Sequence, residues 1–243
     1  MVATSLRRLS PKASLVLFVT LLLILSAGAC RKRANSDSSG SDPSTTATNP
    51  EEAKRQAQTL VEQARELYKN DEDERALEVL KQATTLDPNN AEAHLRLGMS
   101  LAALGQKDES EEQYKKAVEL FRKRIQDGSK DSADYFYLGE AYNFLNRDED
   151  AVRAYRQATQ LKSDDEEAWY QLGSSLNKLA RYTEAIGAFQ KALELQPDDY
   201  RATDGLEQAK EGTQRIREGK KHNEEMLKKQ LEANANASSK PSP

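Results

Sequence analysis

A spacing of 34 residues runs through the middle of this chain and constrains its fold more than any other feature. Gly173 sits in AWYQLGSSL, and 34 positions earlier Gly139 sits in YFYLGEAY. From Gly139 back to Gly98, in HLRLGMSL, the step is 41, so seven residues have been inserted. One more step of 34 reaches Ala64, between Leu60 and Leu67. A second pattern follows each of these points: Ala76, Leu80, Ala83; Ser110, Tyr114, Ala117; Ala151, Tyr155, Ala158; and Ala185, Phe189, Ala192. Self-similarity at such a period belongs to stacked two-element units rather than to one closed core.

The residue types explain the spacing. In each first segment the large residue and the Leu-Gly pair fall at i, i+3, i+4, on one face of a helix. The glycine lets a second helix approach closely, and Ala-aromatic-Ala at spacings of four and three supplies the matching stripe. One such hairpin cannot bury both faces, so copies must stack. The composition agrees: of the 243 residues only 11 are Gly and 7 Pro, and strong helix formers dominate. The reading is all-α. Asn49-Pro50-Glu51-Glu52 has the form of a helix start, with an N-cap, a proline at the first position and acids near the positive dipole end.

The pattern, with Trp169, Leu172, Gly173, Ala185, Phe189 and Pro197 in its last copy, resembles that of tetratricopeptide (TPR) repeats. The resemblance implies a TPR superhelix, an α-solenoid of antiparallel helix pairs, over residues 50–199. Its four repeats would be 57–90, 91–131 with the seven-residue insertion, 132–165 and 166–199. The insertion, FRKRIQDGSKD, predicts a second helix about two turns longer than its siblings, stopped at Gly128. A capping and projecting helix is expected over 200–232, with Leu206, Ala209 and Thr213 against the last repeat, and a disordered tail over 233–243.

Such superhelices present their first helices along a concave groove for partner peptides or helices. Counting the second, fifth, ninth and twelfth positions of each repeat gives the candidate lining: Val61, Arg65 and Tyr68; Leu95 and Met99; Phe136, Glu140 and Asn143; Tyr170, Ser174 and Asn177, with Gln58, Glu92, Ala133 and Glu167 beside them. Arg65, Asn143 and Asn177 are the candidates for polar contacts. Packing between adjacent helices is the competing use of these same side chains.

The first 29 residues form an address. Arg7, Arg8 and Lys12 precede the apolar run SLVLFVTLLLILSAGA, whose strongest part, Leu15 to Leu25, is too short for a ~30 Å hydrocarbon core. Ser26-Ala27-Gly28-Ala29-Cys30 resembles the lipobox of bacterial lipoproteins, which implies cleavage before Cys30 and acylation of its thiol. Cys30 is the only cysteine. Residues 30–49 would then be a lipidated cysteine followed by a flexible linker. The implied location is the cell envelope, lipid-anchored, at the outer membrane facing the periplasm or at the inner membrane. Arg31, Lys32 and Arg33 favour the alternative, a cytoplasm-facing adaptor held by an uncleaved N-terminal helix.

Other classes find little support. With 36 basic and 40 acidic residues the net charge is −4, unlike the basic excess of a nucleic-acid binder. The chain has two histidines: His94, at a large core position, and His222, in the charged C-terminal segment. No nucleophile-base pair or His/Cys metal cluster can be assembled from them. No cofactor, metal or small-molecule substrate is expected. The sequence points to a membrane-tethered scaffold for other proteins, serving assembly of an envelope machine such as a pilus, secretion or outer-membrane apparatus.

Overall fold

The structure, a computed structural model, describes residues 49–238. The N-terminal address, Cys30, the linker before Asn49 and the last five residues lie outside the described residues. Among the described residues all regular structure is α-helical: α1 (Pro50–Lys69), α2 (Asp73–Leu86), α3 (Ala91–Ala103), α4 (Lys107–Gln126), α5 (Ser132–Phe144), α6 (Asp148–Leu161), α7 (Glu166–Lys178), α8 (Tyr182–Leu195) and α9 (Tyr200–Ser238). The odd helices are the first helices of the repeats and the even ones the second.

Each first helix ends in the same way. Asp71, Gly105, Asn146 and Ala180 all adopt positive φ, between 54° and 77°. At each, the amide three residues past the helix reaches back to close a six-residue turn, as in Arg181 N–H to the Leu176 carbonyl at 2.9 Å. Ala180 is the position where a β-carbon crowds this left-handed conformation. Ala180→Asn, which copies the third repeat, is expected to raise stability by about 1 kcal/mol in urea unfolding. First helices also begin alike: Asn49, Asn90, Asp131 and Asp165 each accept a backbone N–H through the side chain.

Packing follows the repeat pattern. Ala76, Ser110, Ala151 and Ala185, then Leu80, Tyr114, Tyr155 and Phe189, then Ala83, Ala117, Ala158 and Ala192 are all buried. A β-carbon added at Gly139 would stand 2.6 Å from the Tyr155 ring, and one at Gly173 2.8 Å from Phe189. Glycine is needed there because the aromatic ring lies directly on the backbone. The apolar interior divides into two clusters that meet on opposite sides of α3, Leu97 and Leu101 facing α1 and α2, Leu95 facing α4 and α5.

α4 runs for 20 residues where α2, α6 and α8 have 14. The extra six residues make about 1.7 turns. The helix stops in a Schellman motif: Ser129 N–H bonds the Arg124 carbonyl and Gly128 N–H the Ile125 carbonyl, with Gly128 at φ 101°. Arg124 in the extension pairs with Asp134, a buried carboxylate that also accepts from Ser129 Oγ at 2.6 Å.

α9 differs from the sequence expectation in extent. The helix continues through Ser238, past residue 232, where disorder was expected to begin. Alanines at 233, 235 and 237 are the best helix formers, and a helix already nucleated extends at little cost. Its first half packs on α8 and α7 through Ala202, Leu206, Ala209 and Gly212. Ile216, Met226, Leu227 and Leu231 beyond are exposed. Among the described residues no helix is long and apolar enough to cross a membrane.

Candidate functional site

First helices touch across the repeats, α1 on α3, α3 on α5 and α7 on α9, while successive second helices do not approach in this way. The stack therefore curves with its odd helices inside. The predicted lining residues lie on these inner helices, and the structure gives them unequal roles.

Val61 and Leu95 are only 1% exposed and offer no surface to a partner, which corrects their assignment as lining. The reason is that Val61 packs into the cluster that α1 and α2 share with α3, while Leu95 packs on the other side of α3 into the cluster that begins with α4 and α5. Arg65 is also engaged within the chain. Its Nε donates to Glu92 at 3.1 Å, its Nη1 to Glu62 at 3.1 Å, and its Nη2 to Tyr137 Oη at 3.0 Å. Glu92 accepts again from Arg96 Nε at 2.6 Å. This chain of charge-assisted bonds ties three successive first helices together. Tyr68 Oη bonds the Arg96 carbonyl at 2.7 Å and Ser100 Oγ at 2.5 Å.

The two asparagines are clamps between repeats. Asn143 Nδ2 donates to Tyr155 Oη at 3.2 Å, and its Oδ1 accepts from Ser175 Oγ at 3.1 Å. Asn177 Nδ2 donates to the Gly205 carbonyl of α9 at 3.0 Å, while its Oδ1 is buried with no hydrogen-bond partner among the described residues. Met99, Phe136, Glu140, Tyr170 and Ser174 remain half-buried along the inner face. Burial first, then the neighbouring carboxylates Glu167 and Glu92, push the Glu140 carboxyl up to about 7 against the opposing pull of Arg96.

At the C-terminal end a cavity of about 510 Å³ opens between α7, α8 and α9. Tyr170, Ser174 and Asn177 form one wall, and Arg201, Asp204 and Gln208 the other. The Arg201 guanidinium lies 4.5 Å from the centre of the Tyr170 ring and bonds Glu167 at 2.9 Å and Asp199 at 3.1 Å. Arg201, Arg96 and Tyr137 were not among the residues singled out by sequence. One more step of 34 from Glu167 and Ser174 would have found Arg201 and Gln208, because the start of α9 repeats the role of a first helix. His94, placed in the core by sequence, is half-buried, with Nδ1 2.8 Å from Gln113 Oε1 and Nε2 3.1 Å from the Pro88 carbonyl.

Among solved structures the chain resembles a MamA protein at 24% identity, over 78% of this chain and 99% of that one, with a TM-score of 0.47. A second MamA structure, of AMB-1, shares 20% identity over 68% of this chain and 94% of its own, with a TM-score of 0.50. YrrB, described as a TPR protein with an unusual peptide-binding site, shares 23% over 67% of this chain and 89% of its own, at 0.42. These likenesses concern the fold. No curated protein matches the chain. The family described as Tetratricopeptide repeat matches residues 89–164 and again 166–199, and that described as TPR repeat matches 64–105. Over residues 64–199, save Asp165 between two of the matches, the chain belongs to the tetratricopeptide-repeat family.

Proposed function

We propose that this protein is a binding scaffold whose inner face holds a segment of a partner protein, with the α7–α9 cavity as the principal seat. The supporting observation is the cavity itself. It combines an aromatic wall at Tyr170, the polar side chains of Ser174 and Gln208 and charged groups of both signs from α9. An extended peptide fits this chemistry: its polar groups meet Ser174 and Gln208 and an apolar side chain lies on Tyr170. Aromatic anchors of this kind dominate interface energetics. The sequence of the first 30 residues supports attachment to a bacterial envelope membrane through acylated Cys30. The scaffold would then serve assembly of an envelope machine while tethered.

Ser174 is half-buried, and its side chain makes no hydrogen bond among the described residues, so Ser174→Arg enters the cavity without breaking one. A photocrosslinking side chain at Gln208 is expected to capture a partner that is lost in Ser174→Arg. Tyr170→Ala should weaken that capture by about tenfold or more. Equal capture from Lys191, on α8, or persistence in Ser174→Arg, would exclude the cavity as the seat. For the tether, labelling with an alkynyl fatty acid is expected to mark the full chain and to vanish in Cys30→Ala. An unlabelled wild type with unchanged processing of Cys30→Ala would favour the uncleaved helix.

A further inference from the structure

The seven inserted residues build a second recess, away from the inner face. Arg122, Ile125 and Gln126 belong to the extra turns that α4 has beyond its 14-residue siblings, and they form one wall of a cleft of about 270 Å³. α5 supplies Tyr135, Leu138 and Tyr142, and α6 supplies Ala154. The floor is thus apolar. Leu138, Tyr142 and Ala154 are almost wholly buried, while Ile125 and Tyr135 are half-buried and open to the cleft. A 150 Å³ apolar cavity is enough to hold benzene, so this volume admits one large side chain.

The rim is cationic. Asp150 is shared between Arg147, at 2.8 Å, and Arg153. Arg122 is exposed and has no carboxylate partner among the described residues. Arg122 and Arg153 line the cleft against the single carboxylate of Asp150, which Arg147 also holds from outside it, leaving an excess of positive charge over an apolar floor. The exposed Met226, Leu227 and Leu231 of α9 are flanked by Glu224, Glu225 and Glu232 as well as by Lys228 and Lys229, so a second copy is the competing occupant. We infer that the cleft between the α4 extension, α5 and α6 docks a partner segment with one bulky apolar side chain flanked by carboxylates. This surface is independent of the inner face: its wall and rim come largely from second helices.

The test uses the full chain and a fluorescent hexapeptide, Ser-Glu-Phe-Asp-Glu-Ser, followed by anisotropy. Saturable binding is expected, weakened about tenfold by Arg122→Glu and further by raised salt. It should also fall when the phenylalanine of the peptide is replaced by serine. A peptide whose acids are replaced by lysines should bind the Arg122→Glu protein better than the wild type. Ser174→Arg, on the inner face, should leave binding unchanged. Arg122 is exposed and Ser174 half-buried, and circular dichroism checks that both variants fold. Binding that is absent, indifferent to Arg122→Glu, or abolished by Ser174→Arg would overturn the inference. So would a concentration-dependent dimer of the full chain that Arg122→Glu dissociates, since a second copy would then fill the cleft.

Discussion

Tyr155→Ala is expected to lower the stability of the repeat stack by about 3–5 kcal/mol, a large share of the ~5–15 kcal/mol typical of a folded domain. Tyr155 is 0% exposed; its ring lies on Gly139 and stands 5.8 Å from the ring of Phe136. Its hydroxyl accepts from Asn143, which in turn accepts from Ser175 of the next repeat. Truncation therefore leaves a cavity inside the third repeat and loosens the clamp to the fourth. In a stack held by nearest-neighbour contacts, such a lesion should split the urea transition, with α7–α9 unfolding separately from α1–α4. Tyr155→Phe is the control, expected to cost about 1 kcal/mol for the lost hydrogen bond. The fourth repeat already uses phenylalanine there, at Phe189, where Asn177 bonds the Gly205 carbonyl instead. A single unshifted transition in Tyr155→Ala would mean that the repeats do not share their core as described.

Glu140→Gln is expected to stabilise the protein by about 2–3 kcal/mol at pH 8 and to change little at pH 4.5. The sign follows from the raised carboxyl. Unfolded, Glu140 ionises around its ordinary value of 4.5; folded, it holds its proton up to about 7. Its favourable contribution is complete below 4.5 and is lost as pH climbs through about 7, where the folded chain must carry a buried charge near Glu92 and Glu167. Glutamine is never charged, so the gain should open between these two values and then level off. Urea midpoints of wild type and variant across pH 4.5–8 measure it directly, because every other titrating group is common to both. Parallel curves would show that Glu140 is hydrated in solution.

The hairpin array was legible because its signals are short-range and repeated. Ala-aromatic-Ala on one helix and glycine on the other recur at a fixed period, and the seven extra residues translate directly into added turns of α4. What the inner side chains bond to was not legible. Arg65, Asn143 and Asn177 were candidates for partner contacts, yet each is tied to a residue about one repeat or more farther along the chain. Such pairings depend on how far one hairpin is rotated on the next, and that rotation leaves no periodic trace. Val61 and Leu95 share a repeat position with Phe136 and Tyr170, and only side-chain size separates the buried pair from the half-buried pair. The helix that caps the last repeat was expected, but its kinship with the first helices was not legible because one mark is altered: Ala202 and Leu206 fall one period after Ala168 and Leu172, but the residue one period after Gly173 is Glu207.

That alteration falls where the hairpin pattern stops. α9 begins as though a fifth hairpin were to follow, yet its glycine position holds an exposed, charged side chain. No aromatic ring can settle on the backbone there, and α9 runs straight on where its siblings turn. Glu207 thus leaves this face of α9 charged where α3, α5 and α7 receive the ring of their partner helix.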